Sequence, residues 1–333
     1  MKWRLALFGL TWFASLQALP AHADGVSARL TLPPGFSISL YAQVPGARSL
    51  VVVEELGVVF VSSRGDAVYA VPLDRGAPSE VLSGLKVPNG IAWKDGYLYV
   101  AEQHRLVRFA APSLDALANA RAEVLYDRLP DSRHHGWRYI AFGPDGGLYM
   151  GIGAPCNVCT PKGLEGTVTR FDSGAWDQPR VVAWGVRNTV GMDTHPKTAV
   201  LHFTDNGADM MGDDSPPDEL NALDMLDTLD TQAPQSQHFG YPWFGGGTDR
   251  TSDFANSTPP PSNPPVIAFQ AHVAALGIDF YSGAQFPAEY VNDAFVAQHG
   301  SWNRSTRVGY QVVRVKFDRA GRAIGYEPFI TGW

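Results

Sequence analysis

The 333 residues carry 26 Lys and Arg against 33 Asp and Glu, a net charge of −7, with 45% hydrophobic and only 18% charged residues. That much apolar material excludes wholesale disorder, and the acidic balance excludes the basic stripe of a nucleic-acid binder. With 34 Gly, 25 Pro and 11% aromatic residues, the chain suits many strands joined by tight turns. It does not suit a helical bundle, a coiled coil, a collagen repeat or a polytopic membrane protein.

The chain opens with Lys2 and Arg4, an apolar stretch over 5–20 and the small-residue signal Ala21-His22-Ala23. This predicts a secretory signal peptide over 1–23, leaving 24–333 as one exported domain, periplasmic or secreted, with no membrane span after cleavage. The apolar stretch is short for a membrane anchor. From residue 50 a unit of short apolar strand, turn and second apolar strand recurs, with starts near 50, 90, 138, 190 and 277. Examples are Gly90-Ile91-Ala92-Trp93 turning into Tyr97-Leu98-Tyr99-Val100, and Tyr139-Ile140-Ala141-Phe142 turning into Leu148-Tyr149-Met150. The first spacings are those of propeller blades with four antiparallel strands. The last is stretched by an insertion over 205–270 whose Ser257–Pro265 run reads as loop. Helical periodicity is confined to 113–121 and 218–229.

The fold class predicted is therefore all-β, a six-bladed-type β-propeller with the last blade incomplete. Five units are visible, and Phe329-Ile330-Thr331-Gly332-Trp333 stands where another would begin. Residues 35–41 are expected to be the outer strand of that sixth blade. A complete five-bladed ring is the alternative. The two cysteines, Cys156 and Cys159, lack the further ligands of a zinc site and the His of a covalent haem site. In an exported chain they suit a local disulfide.

Four polar clusters fall on loops beside the inner strands. Arg133-His134-His135-Gly136-Trp137-Arg138 offers imidazoles that can take and return a proton near neutrality. Arg187-Asn188 offers a planar cation beside an amide, suited to a carboxylate or a developing oxyanion. Nine carboxylates and no Lys or Arg lie between Asp205 and Asp230. That density repels itself unless a hard cation such as calcium neutralises it, although the spacing is not that of an EF-hand. Gln298-His299-Gly300-Ser301-Trp302-Asn303-Arg304 could wall a flat aromatic ligand.

In this order, these clusters resemble those of the soluble quinoprotein sugar dehydrogenases, in particular the sorbosone and aldose sugar dehydrogenase branch. The strings HHGWRYIAFGPDGGLYMGIG, WGVRNTVGMD, FTDNGAD with DELN, GYPWFGG and AFVAQHGSWNR carry the resemblance, which runs from about residue 33 to the end. It implies a propeller using pyrroloquinoline quinone (PQQ) and calcium to oxidise a sugar or aldehyde, with electrons passing to an external acceptor. His135 matches the family's base, and Arg187 the residue that polarises the reactive carbonyl. Arg187, Asn188 and Asn206 match cofactor contacts, and Trp302 and Arg304 border the cofactor. The carbonyls of Gly207 and Ala208, with Asp218 and Glu219 nearby, match the calcium contacts.

Two departures qualify what the resemblance implies. The Asp that family members place 19 residues after the base is Ala154 here, which leaves the imidazole without that orienting carboxylate. Basic cofactor contacts from a final blade are also missing from this chain, an expectation of weak PQQ binding and low turnover. Two other functions fit the same pattern, a non-catalytic ligand- or protein-binding propeller and a calcium-dependent lactone hydrolase. The latter requires carboxylate and Asn side chains converging on the axis.

Overall fold

The computed structural model describes residue 25, residues 29–223 and residues 237–333. The signal peptide reading over 1–23 lies outside them. Among the described residues five antiparallel four-stranded meanders follow one another, besides a two-stranded hairpin and one short parallel strand on the edge of the third. The first holds β1 (Ala47–Val53), β2 (Val58–Ser63), β3 (Val68–Pro72) and β4 (Ser79–Leu82). The second holds β5 (Gly90–Lys94), β6 (Tyr97–Ala101), β7 (Leu106–Ala110) and, after helix α1 (Leu114–Ala118), β8 (Glu123–Tyr126). Ser113 caps α1 by accepting from the Ala116 N–H at 3.1 Å, as the helical reading of 113–121 expects. The third holds β9 (Tyr139–Phe142), β10 (Leu148–Ile152), β11 (Thr167–Phe171) and β12 (Arg180–Trp184). The fourth begins with β13 (Gly191–Thr194), β14 (Leu201–Asp205) and β15 (Pro217–Leu223). Its fourth strand, β19 (Ile267–Ala271), comes only after β16 (Gln237–His238), β17 (Phe244–Gly246) and β18 (Asp249–Arg250). The fifth holds β20 (Ala275–Phe280), β21 (Ala294–Gln298), β22 (Gln311–Phe317) and β23 (Ala323–Ile330).

Each blade is a four-stranded meander, because alternating apolar residues on both faces must be buried against the next sheet. One core joins blades 1 and 2 around Phe60, Leu98 and Val100; another joins blades 2 and 3 around Leu106, Leu148 and Phe171. A third joins blades 3 and 4 around Tyr149, Met192 and Phe203, and a fourth joins blades 4 and 5 around Phe269, Val296 and Val313. Inner strands approach closely at Gly191, where any Cβ would lie 2.1 Å from the Leu276 carbonyl oxygen. Only glycine fits that contact.

Three expectations are corrected. Five blades are present, not six, and residues 35–41 form no strand. The stretch runs extended from a bridge between Thr31 and Thr331 past blade 5, where Phe36 joins Phe286, Tyr290 and Phe329, to blade 1, where Ala42 and Val44 cover Val59, Val61 and Val71. No neighbouring strand offers it a ladder, so its N–H and C=O groups have no sheet to join. The five blades do not close into a ring either. Among the described residues no apolar cluster joins blade 5 to blade 1. A cavity of about 760 Å³ runs along the inner strands of all five blades, with Leu50, Asn89, Tyr139, Val190 and Ile278 in its lining. Finally, 218–223 is strand, not helix; its backbone is satisfied by β14 and β19 on either side, which overrides a short periodic pattern. Residues 224–229 of that helical reading are not among the described ones.

Between blades 4 and 5, His202 is buried beside Phe280, Phe317 and His195. Burial pushes its imidazole down from 6.5 to about 4, against a contact to the Val200 carbonyl that favours the protonated form. The native ring stays neutral while the unfolded one takes a proton below pH 6.5. Its contribution to stability is therefore present above 6.5 and lost as pH falls toward 4. His202→Phe should remove up to about 3 kcal/mol of acid destabilisation across that window. Urea unfolding of parent and variant at stepped pH tests this; parallel curves would refute it.

Candidate functional site

Because strands alternate in direction, the start of each blade's first strand and the end of its second emerge at one end of the fold. His135 precedes β9, Ala154 follows β10, Arg187 and Asn188 precede β13, Asn206 follows β14, Ala274 precedes β20 and Trp302 follows β21. Residues far apart in the chain therefore gather at that end.

They meet around a polar cavity of about 120 Å³ lined by His135, Arg187, Asn188, Asn206, Gly207, Asp218 and Trp302. Asp209 and Asn303, which the sequence placed in clusters without a role, line it too, as do His272 and Ala274, which it did not single out. A wider hollow of about 470 Å³ adjoins it, sharing His135, Asn188, Asn206 and Trp302. Trp302 is 74% exposed and free to pack a ring face against whatever enters. Arg304 does not line either space. It turns to the Asp213 carbonyl and pairs with Asp214 at 2.7 Å, facing the acidic loop and not the cavity.

His135 takes a left-handed backbone conformation, with φ of +48°. The buried Arg138 holds this loop by donating to the carbonyls of His135 at 3.0 Å, Gln103 at 3.2 Å and Pro130. The imidazole Nδ1 lies 2.8 Å from the Ala154 carbonyl oxygen. That oxygen can only accept, so Nδ1 carries the hydrogen and Nε2 is left with its lone pair. The carboxylate missing at position 154 is thus substituted by the main-chain carbonyl of Ala154, which orients the ring. Burial, then the Arg187 charge and His134, push the His135 imidazole down to about 3, so at neutral pH it is an unprotonated acceptor.

Arg187 is buried and held on several sides. Nε donates to the Asn157 carbonyl at 3.0 Å, Nη1 to the Asn206 carbonyl at 3.2 Å, and Nη2 to Asn157 Oδ1 and Asp209 Oδ2, both at 2.8 Å. Four of its five N–H groups are thus engaged. Asn157 sits inside the Cys156–Cys159 disulfide loop, which Tyr241 anchors by accepting from the Cys159 N–H at 3.0 Å. The peptide carrying Arg187 and Asn188 is fixed from below by Asp205, which accepts from their N–H groups at 2.8 and 2.5 Å. Sequence reasoning placed Asp205 in an acidic run and the cysteines in a disulfide. It had no signal that Asp205 would hold the main chain of Arg187 while the disulfide loop presents Asn157 to its guanidinium.

Three carboxylates are buried behind the cavity. Burial pushes Asp205 up to about 7, Asp218 to about 6 and Glu219 to about 8, Glu219 being raised further by Asp205. Asp218 accepts from the N–H groups of Gly207 at 2.7 Å and Ala274 at 2.6 Å. Glu219 accepts from the Gly247 N–H at 2.6 Å and Asn221 Nδ2 at 2.9 Å. Glu219 faces a second, smaller hollow with Asp205 and Tyr241. Among the described residues no group of three or more His, Cys, Asp or Glu side chains gathers as a metal centre. Asp218 and Glu219 are each engaged by main-chain N–H groups, and the convergence required of a lactone hydrolase is not seen among those residues. Gly207 lines the cavity in this negative surrounding, and Ala208 behind it is fully buried.

Residues 248–328 match a family model described as TrAA12-like. An uncharacterized protein of Borreliella burgdorferi is 30% identical over 339 residues, covering 97% of this chain and 86% of that protein. The holo form of the pyranose dehydrogenase PQQ domain from Coprinopsis cinerea superposes with a TM-score of 0.71 at 18% identity, covering 91% of this chain and 86% of that one. A calcium structure of Trichoderma reesei carbohydrate-active enzymes family AA12 gives 0.69 at 19%, covering 91% and 85%. The soluble aldose sugar dehydrogenase of Escherichia coli, in its apo-form, gives 0.56 at 15%, covering 87% and 97%. At these identities the solved structures speak to the fold. The chain is thus a relative of the Borreliella protein over nearly its whole length and carries the TrAA12-like match over residues 248–328.

Proposed function

We propose that this protein is a PQQ- and calcium-dependent dehydrogenase that oxidises an aldose or a related sugar or aldehyde. The observation that carries the reading is the pairing, across one cavity, of a neutral oriented imidazole with a guanidinium fixed by neighbouring groups. His135 Nε2 accepts the proton of the substrate hydroxyl. Arg187, pinned by Asn157, Asp209 and the Asn206 carbonyl, stabilises negative charge developing opposite it without having to reorganise.

The donor set fits the cofactor. Trp302 offers a face to a flat ring system, Arg187 a cation to an electron-rich oxygen, and the carbonyls of Gly207 and Ala208 hard oxygens to calcium. Asp218 holds the Gly207 peptide through its N–H and adds negative charge behind it. When bound, PQQ supplies the electron-accepting carbonyl and calcium the charge that makes it electron-poor. The protein binds, orients and moves the proton.

Supplied with PQQ and calcium, the chain should reduce phenazine methosulfate in the presence of aldoses, slowly because basic cofactor contacts are missing, and lose that activity when calcium is chelated. Export to the periplasm or beyond, and an external electron acceptor, belong to the same proposal. No helix among the described residues is long and apolar enough to cross a membrane. If neither turnover nor PQQ binding is found, the reading falls and a non-catalytic propeller takes its place.

A further inference from the structure

Between β10 and β11 the chain runs from 153 to 166 without strand or helix. This stretch touches both partners across the cavity. The Ala154 N–H donates to the Arg187 carbonyl at 2.8 Å, while the Ala154 carbonyl orients His135. Asn157 then reaches the guanidinium. Its carbonyl accepts from Arg187 Nε at 3.0 Å and its Oδ1 from Nη2 at 2.8 Å. The same Oδ1 accepts from the Asp209 N–H at 2.8 Å, and Asn157 Nδ2 donates to the Asp209 carbonyl at 3.0 Å. Asp209 in turn pairs with Arg187 at 2.8 Å and accepts from Asn303 Nδ2, on the loop after β21, at 3.2 Å.

A backbone without a ladder needs another restraint to hold a side chain in one place. Here the Cys156–Cys159 disulfide supplies it, closing a ring around Asn157 and Val158. Tyr241, buried between β16 and β17, steadies that ring from the other side. Its hydroxyl accepts from the Cys159 N–H at 3.0 Å and lies 3.3 Å from Cys156 Sγ. Both cysteines are half-buried rather than enclosed, which leaves the bond within reach of a small dithiol. A cross-link that served stability alone could stand anywhere in the fold; this one brackets a residue that fixes the guanidinium.

We propose that Asn157 is a positioning residue for Arg187 and that the Cys156–Cys159 disulfide is the latch that keeps it there, so that the aim of the guanidinium depends on the oxidation state of this pair. As a statement about PQQ the inference rests on the dehydrogenase reading; as a statement about Arg187 it does not. Exchange with a dithiol breaks the bond between the two sulfurs, transfers two electrons and two protons to leave two thiols, and closes the reductant's own disulfide. Two thiols need van der Waals separation where a bond stood, and the Asn157 peptide between them moves as they part.

The first test needs no cofactor. Urea unfolding of the full chain is run oxidised and with dithiothreitol on the parent, Asn157→Ala and Arg187→Lys, with thiols counted in the folded state. A disulfide that only restricts the unfolded chain contributes alike in all three. A latch contributes more where Asn157 and the guanidinium fork are both present, so reduction should raise the unfolding constant about fivefold more in the parent than in either variant. The second test is equilibrium dialysis against PQQ with calcium. It uses Cys156→Ser with Cys159→Ser in place of the reduced pair, because a quinone oxidises free thiols. That double replacement and Asn157→Ala should each bind PQQ about tenfold more weakly than the parent, and combining them should weaken binding no further. Equal effects of reduction in all three backgrounds overturn the latch. So do folded variants that bind PQQ as the parent does, and a disulfide that dithiothreitol does not open in the folded chain. A parent that shows the unfolding coupling but never binds PQQ keeps Asn157 as the positioning residue and removes the dehydrogenase reading.

Discussion

Replacing His135 with Asn is expected to lower PQQ- and calcium-dependent turnover by about 10²–10⁴-fold, the usual range for loss of a positioned general base. The choice of Asn follows from the backbone. At φ of +48°, Asn is among the few residues that accept the left-handed region readily, whereas Ala would add strain to the loss of the imidazole. The same loop is held by Arg138 and packs His135 against Gly153, where a Cβ would sit 2.4 Å from the His135 Cβ. His135→Asn should therefore melt like the parent, and its defect should fall on kcat more than on KM. If turnover stays within threefold of the parent, His135 is not the proton acceptor.

The second large effect is expected at Arg187, where one side chain serves both stability and chemistry. Arg187→Met removes the donor to two carbonyls, to Asn157 Oδ1 and to Asp209 at once. Breaking a buried charge pair from one side costs on the order of 3–5 kcal/mol. Asp209 is partly exposed and can recover water, which places the expected loss near the lower figure, about 3 kcal/mol. PQQ binding should be lost with it. Arg187→Lys keeps the charge but not the fork, so it should recover part of the stability and little of the binding. Urea unfolding and equilibrium dialysis against PQQ separate the two effects. Unchanged stability and affinity in Arg187→Met would show that the convergence on this guanidinium has no energetic weight.

Much of this architecture was legible in the residues. The strand-turn-strand units near 50, 90, 138, 190 and 277 became β1, β5, β9, β13 and β20, because period-two apolar runs between Gly-rich turns leave the backbone few alternatives. The polar clusters beside those strands lie around one cavity for the same reason: strand direction fixes the end from which each loop emerges. What could not be read were contacts made by the main chain. Ala154 was judged by its methyl group, but its carbonyl orients His135. Asn157 looked incidental between two cysteines, but the loop they close presents it to Arg187. The stretch 35–41 had the composition of a strand, but a strand needs a neighbour and none stands beside it. Arg304 stood in a motif that predicted the cavity, but the acidic loop at Asp213 and Asp214 lay nearer.

His135, Arg187 and Asn206 ride on the contiguous third and fourth blades, bound through the core around Met192 and Phe203. A change in blade 1, or in the Trp302 loop of blade 5, can therefore alter what borders the cavity while the spacing of imidazole and guanidinium stays set by blades 3 and 4.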